Sequence, residues 1–283
     1  MTAQWDTVTI VGVGLIGGSA GLALAKRGAA KKIIGVGRSD SSLEAAKELG
    51  AISEGTTNIR EGVADADFVL VATRVSVIGN QLEEIDTCVR PGTPITDAGS
   101  TKQSIVDRWE QSRSSRKGRF VGSHPLAGSH KRGPQAADPA LFEDKLTVLT
   151  PVESTPQSDT QSISAFWQLI GAQVCHLSPS EHDRLLASAS HAPHIVAAAL
   201  AAATPREAHR FTAGGWRDTT RIAAGDPDLW ADILLDNAKA VTAQIENFSQ
   251  VSDQFQHAIE EGDRPTLIKL LTLAKESRDA LGS

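Results

Sequence analysis

Gly12, Gly14 and Gly17 stand as G-x-G-x-x-G directly after the apolar run Thr7–Val11 and before a helical stretch. In that context the first glycine permits a tight turn, and the second lets a pyrophosphate approach the backbone. The third lets the helix pack on the strand, while free N–H groups at Leu15 and Ile16 face the phosphates. About twenty residues on, NAD-binding sites place an acid for the ribose 2′-hydroxyl. This chain reads Gly35-Val-Gly37-Arg38-Ser39 instead. A carboxylate would repel a 2′-phosphate, whereas Arg38 pairs with one and Ser39 donates to it, which favours NADP. The alternative is NAD, with Arg38 stacked on adenine and Asp40 reaching the ribose. Thr73, in the loop after a third apolar run, joins the expected cofactor contacts. Ser100 in Thr96-Asp-Ala-Gly-Ser-Thr-Lys102, His124 in Ser123-His-Pro125 and Arg221 in Gly214-Gly-Trp-Arg-Asp-Thr-Thr-Arg221 complete the chemistry-bearing set. Ligands of open α/β sheets lie beyond the carboxyl ends of strands, so Ser100 and His124 are expected to face the nicotinamide end.

The elements that must position these residues follow from periodicity. Thr7–Val11, Ile33–Val36, Phe68–Ala72, Pro94–Thr96, Phe120–Gly122 and Leu146–Leu149 are short, apolar and bounded by Gly, Pro or Asp, as buried strands are. Leu15–Arg27, Ser42–Leu49, Val75–Cys88 and Lys102–Gln111 have helical periodicity, with Gly28 and Gly50 as C-caps. The alternation predicts a Rossmann-type, doubly wound parallel sheet over residues 1–179, closed by a strand-like piece at Gln173–Leu177. Residues 180–283 predict an all-α substrate and dimerisation domain: a helix over Glu181–Ala203 with Pro193 inside it, a glycine-bearing loop at Ala213–Trp216, and a long helix from Asp226 to Gly262. In that last helix Asp226 serves as N-cap and Pro227 as first residue. Uninterrupted, it would be about 50 Å long, more than a small domain covers, so a homodimer through these helices is expected. The alternative is a break near Ser249–Asp253.

Composition excludes other classes. The 283 residues carry 28 Lys+Arg against 34 Asp+Glu, a net charge of −6, which offers no surface for nucleic acid or anionic membrane. The basic cluster Arg113–Arg119 lacks aromatics and reads as a solvated loop. Two cysteines without metal or disulfide spacing, no signal-peptide pattern and no apolar run of about 18 residues predict a cytoplasmic protein without a membrane partner. With no tyrosine in the chain, no side-chain phenol serves as acid or base.

Six motifs in order then resemble the prephenate/arogenate dehydrogenase family of tyrosine biosynthesis: Val11–Ser19, Thr96–Lys102, Gly122–Gly133, Leu141–Pro151, Ser178–His194 and Gly214–Asn237. The resemblance implies a cyclohexadienol substrate with a 4-hydroxyl and a ring carboxylate. Hydride leaves the carbinol carbon, carbon dioxide departs and the ring becomes aromatic. It implies His124 as the base that accepts the hydroxyl proton, a role suited to a side chain with an ordinary pKa of about 6.5, and Ser100 as the group orienting histidine and hydroxyl. Arg221 is implied as the bidentate carboxylate clamp, with His191 and Gly215 beside the substrate and no metal. His182 and Asp183 read as helix-start residues, and Trp230 as packing. Two positions depart from the family pattern. Arg74 replaces a proline beside the cofactor loop. His130 stands where relatives often carry an acidic or other side chain; an acid would favour the ammonium of arogenate, and an imidazole favours the keto-acid side chain of prephenate.

Overall fold

The computed structural model describes residues 4–111, 116–128 and 131–282. His130 and residues 113–115 of the basic cluster therefore lie outside the described residues. The chain forms two compact units, one through Asn237 and one from Ala238.

The first unit is built on eight strands: β1 (Trp5–Val11), β2 (Ala30–Val36), β3 (Glu54–Thr56), β4 (Phe68–Val71), β5 (Pro94–Asp97), β6 (Arg119–Pro125), β7 (Leu146–Thr150) and β8 (Gln173–His176). Their order in the sheet is β3-β2-β1-β4-β5-β6-β7-β8. All neighbours pair in parallel except β6 and β7, where His124 faces Val148 in an antiparallel ladder. The described part of the β6–β7 link holds only a short 3-10 turn, Pro134–Ala136. Without a crossover helix the chain turns back on itself, and the uniformly parallel sheet expected from sequence is corrected at this one pair. β3, sequence Glu-Gly-Thr, has no buried residue and gave no apolar signal.

Consecutive residues of the central strands feed opposite cores, as a pleat requires. Val8, Ile10, Phe68 and Leu70 join Leu24, Phe166 and Trp167 on one face, where the Phe68 and Phe166 rings stack at 4.3 Å. Val11, Val69 and Val71 join Ile78, Leu82, Ile85 and Trp109 on the other. The helices that supply these partners are α1 (Leu15–Arg27), α2 (Asp40–Glu48), α3 (Ile59–Val63), α4 (Val75–Cys88), α5 (Gln103–Gln111) and α6 (Gln157–Leu169).

Beyond the sheet come α7 (Pro179–Leu186), a π-helical turn over Ala187–His191 and α8 (Ala192–Ala203), continuous through Pro193. Proline lacks an N–H and collides with the carbonyl four residues back in a regular helix. The wider π turn directly before Pro193 makes that room. By length and composition alone, Pro179–Ala203 is long and apolar enough to cross a membrane. Its alanines raise the mean hydropathy, while Ser188, Ser190, His191, Pro193 and His194 interrupt it, so it is not the unbroken apolar run the sequence was expected to lack. The same helix buries His182, Asp183, His191 and His194, and 33% of its apolar stretch is buried.

Gly214, expected in a loop, instead starts α9 (Gly214–Thr220). α10 (Pro227–Asp236) begins as expected, with the Asp226 side chain accepting from the N–H groups of Asp228 and Leu229. The long helix then breaks at Asn237 (φ −106°, ψ 29°), neither running on to Gly262 nor breaking near Ser249–Asp253. Asn237 gives the reason: its side-chain amide donates to the Asp183 carbonyl and lies 3.2 Å from His191 Nδ1. Tertiary hydrogen bonds there outweigh helical propensity. The second unit is a helical hairpin of α11 (Ala238–Glu260) and α12 (Arg264–Asp279), reversed at Gly262 with φ +64°.

Candidate active site

The nucleotide end of the first unit is shaped by missing side chains. Gly12 has φ +97°, and a Cβ there would lie 2.6 Å from the Ala72 carbonyl oxygen and 2.8 Å from the Thr73 methyl. A Cβ on Gly17 would lie 1.9 Å from the Gly12 oxygen, so helix and loop touch backbone to backbone. Gly14 differs from both: its Cβ would meet nothing within 4 Å. It is also the N-cap of α1, with no side-chain cap and no acid in the first turn, so the N–H groups of Leu15 and Ile16 begin an open, uncapped helix end. This lies where strand order reverses between β1 and β4, the crevice in which doubly wound sheets bind nucleotides. Open space at Gly14 beside bare helix donors fits a pyrophosphate. Arg38 is exposed at the end of β2 and has no ion pair among the described residues. Ser39 already caps α2, accepting from Ser42 N–H. The Thr73 hydroxyl donates to Gln81 Oε1 at 2.5 Å.

The end of the sheet that carries His124 is shaped by side chains. His124, 9% exposed on β6, places Nδ1 2.8 Å from His182 Nε2, and His182 Nδ1 lies 2.8 Å from Asp183 Oδ1. Asp183 also accepts from the backbone N–H groups of Lys102 and Gln103, capping α5 from a distance. Asp183 does cap a helix, but not its own: α7 is capped by a Ser178/Glu181 capping box. Contacts with His182 and the two N–H groups outweigh burial and hold the Asp183 carboxyl below its usual range. Burial pushes both histidines down, His124 well below 6.5, aided by the nearby charges of His182, Lys102 and His191.

Those directions fix the tautomers. Asp183, ionised, only accepts, so His182 carries its proton on Nδ1 and offers a bare Nε2. His124 must then donate from Nδ1, which leaves its Nε2 an unprotonated acceptor with no partner among the described residues. Beneath this chain lies a fully buried ion pair between Lys102 and Asp97; Lys102 Nζ also donates to the Ser123 carbonyl at 2.9 Å. Burial lowers the Lys102 pKa against the pull of Asp97. Asp97 accepts in addition from the N–H groups of Gly99 and Ser123, tying the ends of β5 and β6 together. Ser100 follows on the same loop, half-buried, and its hydroxyl has no hydrogen-bond partner among the described residues, His124 included.

The remaining expected residues are spread along the helical part. Arg221 is exposed at the end of α9, with no ion pair among the described residues, and Gly215 stands open in the first turn of that helix. His191 is buried, its pKa lowered to about 4 chiefly by desolvation. His194 stacks on Trp230 at 3.5 Å, and its buried Nδ1 has no partner among the described residues. Arg74 pairs with Asp226 (3.7 Å) and Asp228 (3.8 Å), and Arg132 reaches the same Asp226 at 2.6 Å. Arg74 thus ties the loop after β4 to the start of α10.

A family model for the nucleotide-binding domain of prephenate dehydrogenase matches residues 20–176, and one for its dimerization domain matches residues 178–273. The chain belongs to the prephenate dehydrogenase family. The prephenate dehydrogenase of Bacillus subtilis (strain 168) is 38% identical over 99% of this chain and 77% of its own length. The Aquifex aeolicus prephenate dehydrogenase, solved with hydroxyphenyl propionate and NAD+, superposes with a TM-score of 0.88 at 32% identity, covering 98% of each chain. The arogenate dehydrogenase of Synechocystis superposes with a TM-score of 0.82 at 29% identity, covering 97% of this chain and 99% of that one. This member of the family is accordingly an NAD(P)-dependent dehydrogenase.

The sequence places the segment Thr96–Lys102 at the site but gives Asp97 and Lys102 no role there, reads His182 and Asp183 as helix-start residues, and gives Asn237 no role. The available signal was polarity in the wrong place: Asp97 ends an otherwise apolar strand, and buried polar groups are retained where they find partners.

Proposed function

We propose that the protein catalyses the oxidative decarboxylation of prephenate to 4-hydroxyphenylpyruvate, with NADP+ as the preferred hydride acceptor, NAD+ being the alternative. The observation that carries this reading is the bare Nε2 of His124, held by His182 at the carboxyl end of the sheet, the edge to which the nucleotide crevice opens. When bound, the nicotinamide ring supplies the acceptor for hydride from the carbinol carbon. His124 Nε2 takes the hydroxyl proton in the same event, a transfer its neutral state allows. Ser100, its hydroxyl uncommitted, orients the substrate oxygen toward His124 Nε2. Arg221 grips the ring carboxylate through its planar fork and so fixes the ring's position, and the departing carbon dioxide leaves an aromatic ring. His191 and Gly215 complete the substrate side. Gly12, Gly14, Leu15, Ile16, Gly17, Thr73 and Ser100 hold the cofactor, with Arg38 and Ser39 at its 2′-phosphate.

The preference for prephenate over arogenate rests on His130, an imidazole where an acid would attract an ammonium. We place the division between nucleotide and substrate domains at residues 179/180 and the protein in the cytoplasm, in keeping with the unpaired Cys88 and Cys175. The helical hairpin leaves Phe248, Val251, Ile259, Ile268 and Leu271 exposed, an apolar load suited to a second copy of the chain, so the protein acts as a homodimer. Purified protein assayed on prephenate and arogenate with each cofactor tests the reading. Turnover of prephenate with NADP+ supports it; a preference for arogenate of about tenfold or more in kcat/KM overturns the substrate assignment.

A further inference from the structure

Every hydrogen in the chain from Asp183 to His124 points the same way. Asp183 accepts from His182 Nδ1, His182 Nε2 accepts from His124 Nδ1, and His124 Nε2 faces outward with its lone pair. Such a chain fixes the tautomer of the base and also offers a route by which positive charge can leave it. A proton retained on His124 would sit on a buried ring with no carboxylate in contact and with the Lys102 ammonium bonded to the adjacent Ser123 carbonyl. One ring further in, the same charge would lie 2.8 Å from Asp183, whose other oxygen is held by the Gln103 N–H.

We propose that His182 and Asp183 are positioning residues that make His124 a one-way proton acceptor. His124 Nε2 takes the substrate hydroxyl proton, the His124 Nδ1–H bond breaks as a His182 Nε2–H bond forms, and the cation comes to rest on His182 beside the Asp183 carboxylate. One proton enters the chain and one moves along it, so atoms and charge balance with no further reactant. His124 is left neutral with its proton on Nε2. The reverse shift after product release, with loss of that proton to solvent, restores the starting tautomer. The charged and titratable groups acting on this pair of rings are Asp97 at the end of β5, Lys102 just after it, His191 from the π turn and Asp183 from α7, with Asp236 from α10 acting on Lys102. Of these, only Asp183 touches an imidazole of the pair.

The proposal rests on the reading of His124 as the base, and the test separates the two. In His182→Gln the side-chain oxygen still accepts from His124 Nδ1 and preserves the tautomer, but it cannot take up a proton. The pH profile of kcat with prephenate and NADP+ is compared with that of wild type, together with both KM values and the melting temperature. In wild type the first proton bound by the pair goes to His182, the ring in contact with the Asp183 carboxylate, and sets the acid limb. Without it the limb belongs to His124 alone, which burial keeps more acidic. The expected result is a fall in kcat of about ten- to a hundredfold, with the acid limb displaced to lower pH and both KM values little changed. Asp183→Asn, which keeps an oxygen for the α5 N–H groups but removes the charge, displaces the limb in the same direction and serves should His182→Gln fail to fold. Wild-type kcat in both variants, or a slower enzyme whose acid limb has not moved, overturns the relay. Retained turnover in His124→Asn overturns the reading of His124 itself.

Discussion

The two ends of the site are built on opposite principles. At the nucleotide end the working feature is empty space: Gly14 has open room where a Cβ would stand, Gly12 turns at φ +97°, and the donors are backbone N–H groups at the start of α1. At the proton-handling end every position is filled. Asp97, Lys102, Ser123, His124, His182 and Asp183 are buried and mutually bonded, drawn from three separate stretches of chain. A phosphate needs a cradle of fixed dipoles, which one local loop provides. A base of defined tautomer needs a stack of partners, which only tertiary folding provides.

The largest effect tests whether the two ends are separable. His124→Asn is expected to lower kcat by about a thousandfold, within the range of general base catalysis. Cofactor affinity, read from quenching of tryptophan fluorescence, stays at its wild-type value. Loss of cofactor binding in that variant would merge the two ends into one cooperative structure. The next effect concerns what supports the filled end. Lys102→Met strands the Asp97 carboxylate in the core, and leaving a buried charge unpaired costs about 3–5 kcal/mol. Urea unfolding should show that loss, with part of it recovered in the double variant with Asp97→Asn. Full stability in Lys102→Met would mean that the pair contributes nothing to the fold.

The same contrast explains what could be read in the sequence. The nucleotide loop was legible because its chemistry lies in six consecutive residues, and a glycine spacing after an apolar run has few other uses. His124, Ser100 and Arg221 stand out only through the motifs that hold them, and their roles belong to the proposed reading. The relay was not: His182 and Asp183 read as the start of a helix, and Asp183 does satisfy N–H groups, but those of α5, some eighty residues earlier in the chain. Sequence adjacency says nothing about such a partner. The break at Asn237 was hidden for the same reason, since the apolar periodicity runs on through it while its amide is claimed by Asp183 and His191. β3 failed differently, being too short and too exposed to carry a hydrophobic pattern.

His191 gives a pH test of the filled end. Desolvation lowers its pKa to about 4 from 6.5, so the folded state holds it neutral where the unfolded chain protonates it. A depressed folded pKa means that its stabilisation is intact above about pH 6.5 and is lost as pH falls toward 4. By linkage this amounts to something on the order of 3 kcal/mol across that window. Denaturant melts at pH 7 and pH 4.5 should differ by less in His191→Gln than in wild type. An equal difference would assign the acid sensitivity to other groups.

The smallest effect probes the open end, where one exposed side chain is expected to choose the cofactor. Arg38 is exposed and has no ion pair among the described residues, so Arg38→Ala is expected to leave the fold intact and act through the ligand. Against NADP+ the KM is expected to rise about five- to tenfold, the modest return of a solvated charge pair, and to rise less steeply at high salt. Against NAD+ it stays level, because the contact at issue is the 2′-phosphate. Equal losses with both cofactors would place Arg38 over the adenine instead, and Asp40, at the first turn of α2, would become the residue that reads the ribose. Ser39 is the poorer probe of the same question: its hydroxyl caps α2, so a substitution there would disturb the helix along with the ligand contact.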